Sequence, residues 1–485
     1  MGDYYKGVRM TGRNEFEKYI KILKEEPLLY EAVMSLDIKN SFDKTNCGGN
    51  SADTSEQASK GEELARYVLA PVLVLYTRWI IGESQKRGID RLYFLARDGW
   101  LMYHIALRIC ASEKLDMACS YFYCSRYSLR AGAYRFFDDS AYDRLFLHSY
   151  RQSPYDMLCR AGLTDDERKL VYDDISKAGS EQKAEGVWRM GSGTENKRMG
   201  RKEFGSFCEE VRGSAVFRKI LSEKSEEAYI GVMKYIGQEG MNRHRKIGIV
   251  DLGWTGSLQY TLRRLLDSSF INTHITGFYM GLLEKPPEAS GSIYVPWLFD
   301  EKDIKTKSWF AHNLMECLCS APHGMTVGYK REGNRIVPEL AEQENDPEYL
   351  HVIKTKALEM ADKMTSCSYN GSGKKYVLKL LYSLMCSPAD ADIKILKKYA
   401  FCDDVGGQYH KPIVQTGKAN NFCREILPFK LFHRDETDGF YWYCGSLKAS
   451  RIHFKRLYRA GYRLTRSFIE RRKLSRSHSP LKPSF

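Results

Sequence analysis

Residues 96–99, Ala-Arg-Asp-Gly, combine side chains that can bind phosphate and transfer protons. The guanidinium group of Arg97 can donate two parallel hydrogen bonds to a phosphate, and Asp98 can act as an acid, a base or a metal ligand. We predict that Arg97 and Gly99 bind a ligand and that Asp98 is catalytic. The alternative is a local ion pair between Arg97 and Asp98 that only braces a turn.

A second segment, residues 251–257, has the composition of a phosphate-binding loop between a strand and a helix. Its glycines permit close approach of a ligand to the backbone, and the start of a helix attracts anions. Asp251 can hold a sugar hydroxyl or a Mg²⁺ ion, so we predict it as a catalytic residue and metal ligand, with Mg²⁺ as the candidate cofactor. The predicted ligand-binding residues are Gly253, Trp254, Thr255, Gly256 and Ser257, with Trp254 covering the ligand from the loop tip and Ser257 capping the helix. The alternative is a turn whose glycines only permit packing.

Two further positions carry suitable side chains. Ser125 and Arg126 follow another apolar run, and we predict that they bind the ligand, with Arg126 as a second clamp on phosphate. His323 lies in a Pro-His-Gly turn and is predicted as a catalytic residue that pairs with Glu316. The alternatives are that Arg126 is a structural arginine and that His323 is a structural histidine.

Short apolar runs at 91–96, 118–124 and 246–251 are typical of strands buried in a parallel sheet. Helical spacing follows two of them, at 100–110 and 257–266, and 271–282 is the next predicted strand. This succession predicts an α/β fold with an open, mostly parallel, Rossmann-like sheet, helical insertions and a helical C-terminal region. Ligands bind such sheets at the carboxyl ends of the strands, where the predicted site residues lie.

The length of 485 residues predicts several structural units. We predict an N-terminal helix (residues 14–26) and linker within 1–60, and an α/β core over 61–335 with a helical insertion at about 140–235. A mainly helical unit over 336–450 and a basic amphipathic tail over 451–485 complete the chain. The apolar stretch 67–81 is shorter than the ~20 residues of a membrane span and contains Pro71 and Arg78, so we predict a buried helix over 62–82, with Pro71 near its start.

The net charge of +14 is concentrated at the C-terminus. Residues 451–485 contain eleven Lys or Arg residues and one acid, Glu470, a net +10 that leaves only +4 for the rest. A globally basic surface for specific nucleic-acid binding is therefore not expected. Thirteen cysteines without CxxC or zinc spacing, and the absence of a signal peptide, predict reduced thiols in the cytoplasm.

The tail has the pattern of a helix that lies on a membrane surface. Basic residues surround apolar ones that are predicted to follow one helix side, namely Phe454, Leu457, Tyr458, Leu464, Phe468 and Ile469. We predict that residues 451–472 bind an anionic membrane surface, which places the protein peripherally at the inner face of the cell membrane. The alternative is a solvated tail or one that contacts nucleic acid.

Five motifs in one order carry a resemblance to a known family. They are FLARDGWLM (94–102), CSRYSLR (124–130), GIVDLGWTGSLQ (248–259), GFYMGL (277–282) and ECLCSAPHGMTVGY (316–329). The series resembles the C-terminal region of large bacterial proteins described as haloacid-dehalogenase-superfamily hydrolases, and it covers roughly residues 62–335. Such proteins are commonly encoded with capsule and O-antigen glycosyltransferases, so the resemblance implies a role in making surface polysaccharide.

The hydrolase domain of that family carries an Asp-x-Asp nucleophile motif after a strand. Here Asp390-Ala391-Asp392 follows Ser387-Pro388 rather than an apolar strand, so the chain is expected to lack this domain. Residues 246–266 and 94–99 also resemble, at the level of the fold, the two phosphate loops of phosphoribosyltransferases. Those enzymes usually carry two adjacent acids, whereas Leu252 follows Asp251 here.

Together these patterns predict a cytoplasmic protein of cell-surface polysaccharide biosynthesis. It would bind a phosphorylated or nucleotide-activated sugar and catalyse glycosyl or phosphoryl transfer. The alternatives are a non-catalytic, membrane-associated scaffold for glycosyltransferases and a haloacid-dehalogenase-like hydrolase. Convergence of Arg97, Asp98, Arg126 and Asp251 on one place favours a ligand site, whereas their dispersal favours the scaffold.

Overall fold

Five parallel strands form the central sheet of the computed structural model. The strands are β1 (Arg91–Leu95), β2 (Ala118–Phe122), β3 (Lys246–Asp251), β4 (His274–Gly281) and β5 (Ser292–Phe299). Their order is β2-β1-β3-β4-β5, and every neighbouring pair is parallel. The predicted α/β fold with an open, parallel, Rossmann-like sheet is confirmed.

The structure describes residues 15–36, 60–136, 145–146, 153–179, 196, 199–284, 286, 289–343, 347–365, 373–401, 411–432 and 439–477. The helices in these ranges are α1 (Glu17–Leu23), α2 (Pro27–Met34), α3 (Ala70–Lys86), α4 (Trp100–Glu113), α5 (Arg126–Ala133), α6 (Pro154–Arg160), α7 (Asp165–Gly179), α8 (Arg201–Gly213), α9 (Ala215–Gln238), α10 (Ser257–Ser268), α11 (Ile304–Lys307), α12 (His312–Cys319), α13 (Pro347–Thr365), α14 (Lys374–Cys386), α15 (Asp390–Leu396), α16 (Ala419–Cys423), α17 (Phe429–Phe432), α18 (Tyr443–Ala449) and α19 (Lys455–Ser477). Two antiparallel pairs, β6 (Thr326–Glu332) with β7 (Arg335–Leu340) and β8 (Ala400–Phe401) with β9 (Lys411–Pro412), lie outside the central sheet.

Both faces of the sheet are buried. In β1, Leu92 and Phe94 join one hydrophobic cluster, whereas Tyr93 and Leu95 join another on the opposite face. Successive side chains of a strand point to opposite faces, so a strand covered on both sides is a continuous apolar run. This is why β1 and β3 could be predicted from the sequence.

The helices on the first face come from distant parts of the chain. Leu73 of α3, Ile105 of α4, Met360 of α13 and Leu380 of α14 all belong to the cluster that contains Phe94. Tyr19 of α1 belongs to it as well. Residues from the predicted units 1–60 and 336–450 therefore share one core with the α/β unit.

The second face is covered by α5, α9 and α10. The predicted helical insertion supplies α6 to α8 and the start of α9, and these helices have a hydrophobic cluster of their own. Its largest buried members include Tyr172, Phe207 and Phe217. The insertion thus has an interior separate from the two faces of the sheet.

Within the described chain, the helix over 60–86 is long and apolar enough to span a membrane. Its most apolar window is 89% buried inside the protein, so the predicted buried helix is confirmed. Pro71 is the second residue of α3, directly after a π-helical turn at Ala65–Leu69. Proline cannot donate to the carbonyl four residues earlier, here that of Tyr67, and the irregular turn lies at that carbonyl.

Several local predictions need correction. The predicted helix over 14–26 spans only Glu17–Leu23, and β2 ends at Phe122 rather than at Cys124. The strand β5 was not predicted, because it contains Pro296 and is only partly buried in its first half. Ser257 is the first residue of α10 and not its cap, since Gly256 occupies the cap with a φ of +66°.

Candidate active site

The reversal of strand order defines the position of the candidate site. The chain leaves β1 for β2 on one side and later returns to β3 on the other side. Asp98 follows the end of β1 by three residues, and Asp251 is the last residue of β3. Ligands of open α/β sheets bind at this switch point, outside the carboxyl ends of the strands.

Two glycines hold the loops of both acids close to the ends of their strands. The N–H of Gly99 donates to the carbonyl oxygen of Leu95 at 2.8 Å, and a Cβ on Gly99 would overlap Leu95. Gly253 has a φ of +148°, and a Cβ there would overlap the carbonyl oxygen of Gly281. Both glycines approach the protein's own backbone, which is the packing role weighed as an alternative.

The Asp98 side chain is partly buried. Burial raises the pKa of its carboxyl group to about 7, and the negative charge of Asp251 raises it further in the same direction. The guanidinium groups of Arg97 and Arg126 oppose this rise. Asp98 therefore retains its proton to a higher pH than an ordinary aspartate does.

Asp251 has the same unusual pKa for a related reason. Burial raises its pKa to about 7, and the charge of Glu316 acts in the same direction. Backbone N–H groups of Gly253 and Leu252 donate to its carboxylate and, together with Arg126, lower the pKa. Because the charge of Asp251 also raises the pKa of Asp98, the two carboxyl groups titrate as an interacting pair.

The arginines complete a cluster of four predicted residues. Arg126 is the first residue of α5, and its charge acts on both Asp98 and Asp251. Arg97 acts on Asp98 and on His323. The structure thus brings Arg97, Asp98, Arg126 and Asp251 together at one end of the sheet.

Ser125, next to this cluster, caps the start of α5. Its hydroxyl caps α5 by accepting from the N–H of Ser128 at 3.0 Å, and it donates to the carbonyl oxygen of Thr326 at 2.6 Å. The side chain is buried. Ser125 therefore positions Arg126 by starting α5 at this point.

His323 is a neutral hydrogen-bonded residue near Arg97. Nδ1 lies 2.8 Å from the carbonyl oxygen of Gly324 and Nε2 lies 2.8 Å from the hydroxyl of Tyr121. Because a carbonyl only accepts, Nδ1 carries the proton and Nε2 accepts from Tyr121. Burial lowers the pKa of His323, and the charge of Arg97 lowers it further, although the bond to Gly324 opposes this.

The predicted position of Trp254 at the loop tip is wrong. The indole is buried, stacks on Phe299 with ring centroids 6.3 Å apart, and contacts Phe310. Its Nε1 donates to the carboxylate of Glu316 at 2.7 Å. The predicted pairing of Glu316 with His323 is also not observed, because both ring nitrogens of His323 have other partners. A large aromatic residue here fills the core and orients an acid near Asp251.

The remaining part of the second loop surrounds the start of α10. The hydroxyl of Thr255 lies 3.1 Å from that of Ser257 and accepts from the N–H of Ser257 at 3.4 Å. The N–H groups of Leu252 and Gly253 already serve Asp251. An anion bound by this loop would therefore contact Thr255, Gly256 and Ser257 rather than all of residues 251–257.

Sequence reasoning missed Tyr121 and His312. Tyr121 belongs to the aromatic strand that precedes Ser125, and the alternation of tyrosines there was a usable signal. His312 starts α12, and its ring lies 5.9 Å from that of Trp254. It lines a cavity of about 90 Å³ together with Asn313 and Arg466. No local sequence pattern could identify His312, because residues that line the cavity with it, such as Arg466, come from the C-terminal helix.

Positive charges from two parts of the chain, the C-terminal helix and the start of α5, act on His312. Burial lowers its pKa to about 3, and the charges of Arg466, Lys473 and Arg126 lower it further. The imidazole is therefore neutral at physiological pH. The cavity links the surroundings of Trp254 with the basic helix α19.

The carboxylates of the site are the candidate ligands for a metal ion. Among the described residues, no group of three or more His, Cys, Asp or Glu side chains is placed to hold a metal ion. Mg²⁺ is commonly held by only one or two carboxylates together with substrate phosphates and water. The Asp98 and Asp251 pair fits that requirement, so Mg²⁺ stays a prediction.

The Asp390-Ala391-Asp392 segment has no catalytic surroundings. It forms the start of α15, and Asp392 is buried. The Asp392 carboxylate accepts from the Tyr19 hydroxyl and from Lys18 Nζ, each at 2.8 Å. It is a structural acid that ties α15 to α1.

Comparison with known proteins added no relative. No family model matches the chain, and no curated protein matches it. The resemblance of the five motifs to the C-terminal region of haloacid-dehalogenase-superfamily hydrolases therefore stays a prediction.

Proposed function

We propose that this chain binds a phosphorylated or nucleotide-activated sugar at the switch point between β1 and β3. It transfers a glycosyl or phosphoryl group in the biosynthesis of cell-surface polysaccharide. The observation that carries this proposal is the pair of partly buried carboxyl groups, Asp98 and Asp251, whose pKa values are raised well above the usual aspartate range beside two arginines.

Such a pair can supply both proton-transfer roles of a transferase. Two interacting carboxyl groups with raised pKa values can provide an acid and a base at the same pH. Arg97 and Arg126 can hold phosphate oxygens by paired hydrogen bonds. The hydroxyl of Tyr121 donates to neutral His323 and can still accept a hydrogen bond from a sugar hydroxyl.

Asp98 and Asp251 are also the residues that would hold Mg²⁺ beside a substrate phosphate. The ion would offset negative charge that develops on the phosphate during transfer. The cytoplasmic location and the polysaccharide context rest on the cysteine usage and on the resemblance of the five motifs.

A thermal-shift screen tests ligand binding directly. The full chain is heated with sugar phosphates, nucleotide sugars or phosphoribosyl diphosphate, each with and without Mg²⁺. A specific ligand stabilises the folded state and raises Tm by a few degrees. We expect Asp251→Asn to lose the shift and Asp173→Asn, an exposed aspartate in α7, to keep it.

The ligand that raises Tm is then incubated with the protein and an acceptor, and group transfer is measured as the amount of product formed. We expect Asp98→Asn and Asp251→Asn to lose at least about a hundredfold in rate, the usual contribution of a general acid or base. Unchanged turnover in both variants refutes the catalytic assignment. No shift with any compound favours the non-catalytic scaffold instead.

A further inference from the structure

The C-terminal helix α19 presents large apolar side chains to solvent. Leu457, Leu464 and Phe468 are 69%, 73% and 45% exposed, and Phe454, which directly precedes the helix, is 77% exposed. Leu457, Leu464 and Phe468 recur at helical spacing, so they lie along one side of α19. The prediction that Tyr458 shares this side is wrong, because its hydroxyl faces inward to Cys423 at 3.6 Å.

The neighbouring helix α17 also carries exposed apolar residues. Phe429 and Leu431 are exposed as well, and the N–H of Leu427 donates to the hydroxyl of Thr465 in α19 at 2.9 Å. Fifteen large hydrophobic residues are exposed among the described residues, and six of them lie within 429–468. These six residues form what we name the C-terminal apolar patch.

The inner side of α19 is fixed to the protein. Tyr462 stacks on Tyr443 with ring centroids 3.9 Å apart, and Arg463 donates to the hydroxyl of Tyr382 at 2.7 Å. Glu470 forms a buried ion pair with Lys307 at 2.9 Å. The helix therefore cannot roll to bury its outer side without breaking these contacts.

The charges around the patch have one sign. The helix contains nine Lys or Arg residues and a single acid, Glu470, which is buried with Lys307. Arg456, Arg471 and Arg472 are exposed, and none has a carboxylate partner in the described part of the chain. The outer side of α19 thus combines apolar residues with uncompensated positive charge.

The backbone of Phe454 is in a strained conformation. Its φ of +57° lies in the left-handed region, which L residues with bulky side chains rarely adopt. The side chain is the most exposed of the patch, so packing within the protein does not compensate for this conformation. Phe454 therefore adds exposed aromatic surface directly before the start of α19.

We propose that the C-terminal apolar patch docks on an anionic lipid bilayer. Leucine and phenylalanine between arginines suit the interface, where apolar side chains enter the acyl region and guanidinium groups meet lipid phosphates. A helix of 23 residues lying in the membrane plane contacts lipid over about 34 Å. A second copy of the chain would bring like charges together, and nucleic acid would leave the leucines exposed. This proposal is independent of the proposed catalytic function.

Cosedimentation of the full chain with lipid vesicles tests the proposal. One set of vesicles is pure phosphatidylcholine, and the other contains phosphatidylglycerol in addition. We expect the protein to pellet with the anionic vesicles at low salt and to be released as salt rises, because screening weakens its attraction to the lipid.

Two triple variants separate the charge from the apolar contribution. Arg456→Gln with Arg471→Gln and Arg472→Gln should weaken partition by on the order of a hundredfold. Leu457→Ser with Leu464→Ser and Phe468→Ser should abolish pelleting at moderate salt. The matched control replaces exposed apolar residues elsewhere, Leu170→Ser with Phe270→Ser and Ile293→Ser, and should bind like the wild type.

All variants are first checked for an unchanged melting curve, which the exposure of these positions predicts. A chain that stays in the supernatant with both kinds of vesicle overturns the proposal. Equal loss of binding in the matched control overturns it as well. A dimer that disappears in the Leu457, Leu464 and Phe468 variant would assign the patch to a contact between copies instead.

Discussion

The carboxyl groups of Asp98 and Asp251 couple the stability of the protein to pH. Burial raises the pKa of both to about 7 in the folded chain, whereas an unfolded aspartate titrates at about 3.9. The folded chain therefore retains protons that the unfolded chain releases. This contribution to stability is complete below the unfolded value and is lost as pH rises through about 7.

Replacing Asp251 by asparagine removes this dependence for one member of the pair. Relative to the wild type, the free energy of unfolding of Asp251→Asn should increase by about 1 to 4 kcal/mol between pH 4 and pH 8. Urea unfolding at the two pH values measures the difference. Asp173→Asn should show no such trend, and an equal offset of Asp251→Asn at both pH values would contradict the raised pKa.

At the scale of the elements, the site depends on how closely two loops follow their strands. Tyr76 of α3 donates to the carbonyl oxygen of Asp251 at 2.8 Å and so holds the end of β3. Gly253 then passes so close to Gly281 that a side chain has no room. The position of Asp251 is therefore set by α3 and β4 as well as by its own strand.

Gly253→Ala should destabilise the fold through this contact. We expect a loss of about 2 to 4 kcal/mol in the free energy of unfolding, because positive φ and overlap with Gly281 act together. The matched control is Gly333→Ala, which has a φ of +59° but open space around it and should lose only about 1 kcal/mol. Equal losses in the two variants would show that the contact with Gly281 contributes nothing.

At the scale of the whole molecule, the C-terminal helix is joined to the α/β unit by buried charges. Lys307 of α11 and Glu470 of α19 are almost inaccessible to solvent and lie 2.9 Å apart. An ion pair removed from water tolerates the loss of one partner poorly, because the other charge is left buried. The pair therefore ties α19, and with it the cavity at His312, to the remainder of the protein.

Glu470→Gln should lower the free energy of unfolding by about 3 to 5 kcal/mol. The double variant Lys307→Met with Glu470→Leu should recover most of that loss, since apolar side chains of similar size leave no buried charge. Chemical unfolding of the single and double variants measures both effects. A single variant as stable as the wild type would mean that solvent reaches Lys307.

Sequence patterns were sufficient where the physical cause is local. The buried strands β1 and β3 are largely apolar runs, and a short loop that contains glycine follows each of them. Arg97, Asp98, Arg126 and Asp251 could therefore be proposed together, because parallel strands place their carboxyl ends at one edge. The role of Trp254 could not be deduced, since the residues that bury it, Phe299 and Phe310, are distant in the chain.

The sequence by itself determined the α/β class, the buried character of α3 and the concentration of positive charge at the C-terminus. These follow from local periodicity and composition. Only the tertiary structure decided that the pKa values of Asp98 and Asp251 are raised, since a pKa depends on burial and on charges brought from other elements. The tertiary structure also decided which side of α19 is exposed to solvent. Helical spacing predicts which residues lie on the same side of the helix, but the surface against which the helix packs determines which side is buried.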